Sequence, residues 1–512
     1  MLQRYPSDLN LSQGISIPFA THPAVPGRKQ QAGSGLLIML VSTVVLLLSL
    51  TIAIKVMAPR DGEASASYTQ HILESTKTAL LNDTKYGKRA LGKLNFYPDV
   101  LEQGEAGNGR YDGWAENGCI TTAWQPSATW GTSPRVTQSI DTLGNSARCF
   151  GKVPWRSLNL NFGNVSLTDP EGVVPWMAVS NNLILSSLCL PYRTPLILGA
   201  TLPASSFCPG VTIPQRWLSI YDSAGNLVSD EAALVLMVPG LALPSQASRN
   251  AGNLLGPAEY LDTFNVLSSC LPNCVPGNYS NAVGYLRPNN ENQRYYLTRP
   301  WNQGTNYVSY LDPAFPVNDQ VRYVTAEEYF NQLESYAAEV IIRALRTVFE
   351  RSAPASNPTA RYFPYAATVS GNVHGMYPVQ QPGLLFGFTP MQVLLDALAS
   401  YGETPLWTEL GRVADAGWGH YFFLAISNNC TQNAPNCLNG QLSAGNRMNL
   451  KALLIGPGRT RTGQGRPIDP AGQFSGLLTQ YLEGLNANGG VTFESETRPH
   501  SASYNDIVRV IQ

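Results

Sequence analysis

Charge is scarce in this chain. Asp, Glu, Lys and Arg supply 13% of its 512 residues, about half the usual share of roughly 25%. They cancel to a net charge of -1, so no global field recruits nucleic acid or an acidic partner. Histidine is scarcer still, with five scattered residues. There is no His-Glu-x-x-His helix, no Gly-x-Ser-x-Gly elbow, and no carboxylate pair at a recognisable catalytic spacing. These absences exclude the common zinc-peptidase and α/β-hydrolase layouts. The Gly-rich run from Gly456 to Arg466 lacks the Lys-Ser/Thr that a phosphate-binding P-loop needs. It is expected to be a structural loop whose Gln464 and Arg466 hydrogen-bond nearby backbone.

What fills the gap is Gly (45), Pro (37), Asn, Ser and Thr, beside a 44% apolar share large enough for real cores. This composition points to a turn-rich, strand-rich exported protein. One feature dominates the N-terminal part. From Gly35 to Ile54 there is no charge, and Leu, Val and Ile prevail. About twenty such residues, rising ~1.5 Å each, span a ~30 Å hydrocarbon layer. Residues 36–57 therefore read as one transmembrane helix. Arg4, Arg28 and Lys29 precede it against Asp8, while Lys55, Arg60, Asp61 and Glu63 follow. That asymmetry favours a cytoplasmic N-terminus, with the bulk of the chain periplasmic or extracellular.

The cysteines agree with export. Cys119, Cys149, Cys189, Cys208, Cys270, Cys274, Cys430 and Cys437 all follow the apolar run, and their even count suggests disulfides. Nearest-neighbour pairing is simplest, though sequence alone leaves the connectivity open. Their spacings lack the Cys-x-x-Cys of zinc sites, so no metal site is expected among them. Asp222-Ser-Ala-Gly225-Asn226, followed by Asp230, offers oxygen ligands for calcium. The same residues make an ordinary turn, with Asp capping it and Gly taking a positive φ. No cofactor is expected beyond that calcium candidate.

The chain also repeats itself. Gly172-Val-Val-Pro-Trp-Met-Ala-Val-Ser-Asn-Asn182 aligns without a gap on Gly419-His-Tyr-Phe-Phe-Leu-Ala-Ile-Ser-Asn-Asn429. Val173 thereby matches His420, which makes a special role for that histidine unnecessary. Pro154-Trp155-x-x-Leu158 echoes Pro405-Leu406-Trp407-x-x-Leu410. Ala233 to Gly240 resembles Ala452 to Gly458, each ending in Pro-Gly, with Gln six residues beyond. Tyr260-Leu-Asp-Thr-Phe-Asn265 matches Tyr481-Leu-Glu-Gly-Leu-Asn486, and Tyr279-Ser-Asn281 resembles Tyr504-Asn-Asp506. Blocks kept in order indicate a duplication. The apolar runs flanked by Gly and Pro predict buried strands. Helices are predicted ahead of each copy, at 64–91 and from Thr325 to about Arg351, the second opened by the capping box Thr325-Ala-Glu-Glu328. A further helix is expected from Thr389-Pro390 to Gly402, with Thr389 as its cap.

A basic flank at Arg28-Lys29, a small-residue step at Gly33-Ser34-Gly35, an apolar helix, an amphipathic extension and a β-rich head resemble type IV pilin-like proteins, including the pseudopilins of type II secretion. Asp169-x-x-Gly172 leading into a strand is similar to the Asp-Pro-Trp-Gly segment of major pseudopilins. The resemblance implies peptidase processing at Gly33 and Ser34, or after Gly35. Most pilins carry a Glu five residues into the mature chain; here that place holds Ile38 or Leu40. A carboxylate in an apolar bundle needs a partner to offset its burial, and subunits without a neighbour above them lack it. The resemblance therefore implies a minor or tip component rather than a major subunit.

The expected fold is α+β: a cytoplasmic leader at 1–35, the transmembrane helix at 36–57, a stem helix and first pilin-like β-rich head at 58–320, and a second pilin-like unit at 321–512. The expected function is membrane-anchored filament assembly, secretion or surface contact without catalysis. Expected partners are the membrane and other pilin-like subunits or their assembly machinery, with no nucleic acid, at a bacterial inner membrane. The alternative is a membrane-tethered extracytoplasmic enzyme, such as a hydrolase or glycosyltransferase, or a plain tethered binding protein.

Overall fold

The computed structural model describes residues 69–87, 91–92, 149–158, 160, 174–180, 183, 217–222, 227–240, 261, 263–266, 277–280, 295–298 and most of 319–511. The chain divides into units 1–63 and 64–512, and every described residue belongs to the second. The apolar run 36–57, the Gly33-Ser34 step, Asn226, and Cys119, Cys189, Cys208, Cys270 and Cys274 lie outside the described residues. Among the described residues no helix is long and apolar enough to cross a membrane.

Local sequence explains the main elements. Helix α1 covers residues 69–86 and buries Ile72, Leu73, Leu80 and Leu81 on one stripe. The buried apolar runs form strands of a six-stranded sheet, built from β1 (Cys149–Lys152), β2 (Trp176–Val179), β3 (Leu218–Asp222), β4 (Leu227–Val238), β5 (Tyr295–Thr298) and β6 (Gln320–Thr325). Their order is β1-β2-β4-β3-β5, with β6 also paired to β4. Thr325 ends β6 and caps α2 (Ala326–Arg351), its hydroxyl accepting from Glu328 N–H at 3.0 Å as the capping box predicts. Helix α3 (Met391–Ser400) starts one residue later than expected. Thr389 does not cap it, because both its N–H and its hydroxyl donate to Phe422 O. Helix α4 (Thr404–Asp415) follows, with Pro405 in its first turn, where a missing N–H costs nothing. A second sheet has the order β7 (Phe386–Phe388), β8 (Phe423–Ile426), β9 (Ala452–Gly456), β10 (Ile507–Ile511).

The two sheets repeat one pattern of hydrogen bonding. Lys152 pairs with Trp176 and Trp176 with Met237; Phe388 pairs with Phe423 and Phe423 with Ile455. Beyond them, Met237 pairs with Val321 and Ile455 with Val508. All of these pairings are antiparallel. The flanking bonds repeat as well. Val153 N–H donates to Pro175 O as Thr389 does to Phe422, and Ser180 N–H to Ala233 O as Ser427 does to Lys451. So β1, β2, β4 and β6 correspond to β7, β8, β9 and β10.

This register reassigns two of the sequence matches. Pro154-Trp155-x-x-Leu158 follows β1 and so corresponds to Pro390-Met391-x-x-Leu394, not to the Pro405 block. Leu158 and Leu394 donate to Pro154 O and Pro390 O alike. The counterpart of Asn505-Asp506-Ile-Val508-Arg509 is Asn318-Asp319-Gln-Val321-Arg322, which leads into β6, rather than the Tyr279 segment, whose Gly277–Ser280 pairs with Thr263–Val266. The short Tyr-x-Asn resemblance was coincidental; the Asn-Asp-x-Val-Arg match has a structural address.

Alternation along each strand sorts side chains to two faces. Outward, Trp176, Ala178, Val235, Met237, Leu261 and Val321 form one cluster. Their counterparts Phe423, Ala425, Leu453, Ile455, Leu482 and Val508 form another. Inward, Met177, Val179, Leu234 and Leu236 of the first sheet join one continuous cluster with Leu424, Ile426 and Leu454 of the second. Helices α1 to α4 supply much of the rest, including Leu73, Leu80, Phe330, Leu333, Ile341, Leu394 and Leu410. Helix α2 buries half of its 26 residues, over an arc wide enough to meet both sheets.

The shared core predicts one cooperative unfolding transition for residues 64–512, not two. Trp176→Ala and Phe423→Ala, at equivalent places, each lower stability by about 3–5 kcal/mol and shift that one transition. Urea unfolding followed by fluorescence and circular dichroism reads this, and two separate transitions would contradict it.

Candidate functional site

Two of the residues singled out for calcium are described, Asp222 and Asp230. Asp222 ends β3 and Asp230 is an exposed residue of β4, on a hairpin that pairs Tyr221 with Leu227. Among the described residues no group of three or more His, Cys, Asp or Glu is placed to hold a metal ion. Cys430 and Cys437 are joined by a disulfide with Cα atoms 4.4 Å apart, one of the nearest-neighbour pairs. It closes a small hairpin of Cys430–Thr431 on Ala434–Pro435. His420 sits in a 3-10 turn before β8, its ring edge-on to Phe388. Burial pushes its pKa down to about 3, so it is neutral.

Polar chemistry concentrates instead where α2, the loop after β9 and the approach to β10 meet. Glu334 of α2 is fully buried. Tyr421 Oη lies 2.9 Å from Glu334 Oε1 and 3.1 Å from Gly458 O. Arg466, 1% exposed, donates from Nη1 to Gly458 O and from Nη2 to Pro457 O, both at 2.7 Å. Arg461 N–H donates to Gln464 Oε1. The loop therefore binds its own backbone through Gln464 and Arg466, as the sequence suggested. Gly456 has no room for a side chain, since a Cβ there would meet Glu334 Oε1 at 2.2 Å. Gly458 has φ +62, a conformation that favours glycine.

Burial drives Glu334 above the usual carboxylate range, against the opposing influence of Arg509, Tyr421 and Arg466. A neutral Glu334 also suits the hydroxyl geometry. Tyr421 has one hydrogen for two neighbours. With Glu334 protonated, the carboxyl serves Tyr421 and Tyr421 serves Gly458 O, so both contacts are satisfied together. Burial likewise raises Tyr421 well above its ordinary value.

The second half of the network is a clasp between residues 483–486 and 505–506. Glu483 N–H donates to Asp506 Oδ2 at 2.8 Å, and Asn505 and Asp506 N–H donate back to Glu483 Oε2 at 2.6 and 3.3 Å. Asn486 Nδ2 donates to Asp506 Oδ2 at 3.0 Å. The other side of Glu483 receives Arg461 Nε at 3.1 Å and Gln464 Nε2 at 3.3 Å. Arg459, on the same loop, pairs with Glu231 of β4 at 2.6 Å and so ties the second half to the first sheet.

Sequence reasoning missed Glu334, Tyr421 and the Asn-Asp clasp. A usable signal existed for two of them. Leu73-Glu74-Ser75 in α1 repeats as Leu333-Glu334-Ser335 in α2, and Asn318-Asp319 repeats as Asn505-Asp506. In the first half Glu74 meets Arg322 of β6 at 3.0 Å, on the surface. The corresponding pair in the second half is Glu334 and Arg509, where the charge of Arg509 acts on a buried carboxyl. Glu334, Tyr421, Arg466, Asn486 and Asp506 are buried, so the centre of the network is internal hydrogen bonding.

Comparison with known proteins returns no match: no family model fits the chain, and neither a curated protein nor a solved structure resembles it.

Glu334→Gln keeps a donor for Tyr421 and is expected to cost less than about 1 kcal/mol. Arg466→Ala strips two buried carbonyls of their donor and is expected to cost about 2–4 kcal/mol. Denaturant midpoints check the order, and an equal loss in both variants would contradict a neutral Glu334.

Proposed function

We propose that this chain is a minor, tip-like component of a type IV pilus or a type II secretion-like filament, working by assembly and surface contact rather than catalysis. In this reading residues 36–57 anchor it in a bacterial inner membrane with the N-terminus cytoplasmic. The two halves are pilin-like units, each a helix with an antiparallel sheet, fused by duplication. The observation that carries the reading is the order of parts. An apolar run leads to α1, whose Leu73, Leu80 and Leu81 share a core with the strands β2, β4 and β6, and the same plan recurs with α2 and the second sheet. The apolar Ile38 or Leu40 at the fifth mature position supports a subunit without a neighbour above it. The inward-facing polar network supports a part that keeps its shape and leaves its outer surface for contact.

N-terminal sequencing of the protein purified from cells with an active prepilin peptidase tests this. A mature start at Ser34, or just after Gly35, is expected. A start at Met1 would remove the pilin reading and leave a tethered envelope protein.

A further inference from the structure

The clasp between Glu483 and Asp506 brings two carboxyl groups together at the root of an edge strand. Asp506 is 2% exposed, and β10 begins at the next residue. Its Oδ2 accepts from Glu483 N–H and from Asn486, while its Oδ1 is buried with no partner among the described residues. Both oxygens of Glu483 accept hydrogen bonds, Oε1 from Gln464 and Oε2 from the Asn505 and Asp506 N–H groups, and Arg461 is its ion-pair partner at 3.1 Å. A proton is therefore accommodated on Asp506 Oδ1 alone: every other carboxyl oxygen of the clasp already faces hydrogen-bond donors.

We propose that this clasp is a proton-operated latch on β10, closed when Asp506 carries a proton and loosened when both carboxyls are ionised. Strand β10 pairs only with β9 among the described residues, so loosening its root frees one side of the sheet without breaking the rest. The charged and titratable groups around Asp506 are few. Glu483 faces it from the 483–486 turn and opposes its ionisation, while Arg466 on the loop after β9 favours it. On its own segment Tyr504 is bonded to Asn486 and covered by Arg498, which pairs with Glu494. Burial is the largest influence, and the Asp506 pKa is pushed up to about 7 from an ordinary 3.8.

The direction of the pH effect follows. The folded state holds the proton more tightly than the unfolded chain, so the latch contributes fully at acid pH. That contribution declines as pH rises from about 4 and is gone above about 7. The duplication supplies independent support. Asp319 stands at the same place before β6 and is fully buried as well, so a buried Asp at the root of this edge strand is a feature of the repeated unit.

Hydrogen exchange on the full chain tests the latch, with rates corrected for intrinsic pH dependence. Between pH 5.5 and 8.5, chosen to bracket the value of about 7, protection across 507–511 is expected to fall roughly tenfold. Protection across 423–426 in the sheet interior reports global unfolding and falls by no more than the same factor. Asp506→Asn keeps an acceptor toward Glu483 N–H and places its amide on the Oδ1 side, so its protection is expected to be flat with pH. Glu334→Gln, the other buried carboxyl nearby, retains the wild-type profile. If Asp506→Asn fails to fold, the wild-type profile decides alone. An unchanged protection across 507–511 or a wild-type response in Asp506→Asn overturns the proposal.

Discussion

The described part of residues 64–512 depends on helices that share one apolar core with two sheets. A strand alternates its side chains, so a sheet buried on both faces needs two covers. The outer faces are covered locally, by clusters around Trp176 and around Phe423. The inner faces are not; Leu236 and Leu454 belong to the same cluster, with α2 and its neighbours between. This constraint explains why α2 is apolar over so wide an arc, why its one buried carboxyl is Glu334, and why that group is hydrogen-bonded rather than solvated.

The two halves show how a repeated position diverges when its burial changes. Glu74 and Glu334 follow Leu and precede Ser in their helices, and each lies toward an Arg of the last strand. Glu74 keeps a partly exposed ion pair with Arg322, an arrangement of small net worth in water. Glu334 sits inside, where an ionised group would cost much more. Burial shifts it toward the neutral form, and Tyr421, itself 3.1 Å from the Gly458 carbonyl, takes over as its hydrogen-bonding neighbour. Glu at matching positions thus serves as a surface tie in one half and as a buried partner of Tyr421 in the other.

Much of the second half was legible in the sequence. The capping box placed α2, the Val- and Leu-rich runs placed β4 and β9, and the Gln464 and Arg466 bonds to backbone followed from a Gly-rich loop without phosphate-binding residues. The limits were physical. Pro-x-x-x-Leu is common enough that the Pro154 block matched the wrong proline, and only backbone pairing pointed to Pro390. Nothing in the run Leu234–Val238 says which alternate residues meet a helix shared with another sheet. Separate heads were the natural expectation, and a common inner layer was invisible. The Asp506 clasp escaped because its importance comes from burial and from donors distant in sequence. A lone Asn-Asp carries no such mark.

Thr325 is at once the last residue of β6 and the cap of α2. No spare residue separates the first sheet from the central helix, so the junction has no slack to act as a hinge. A tensile load on the first half would pass through the hydrogen bonds between β4 and β6 directly into the axis of α2, and from there to the second sheet. The first sheet and the central helix are therefore coupled mechanically, in contrast to a pair of beads joined by a flexible thread.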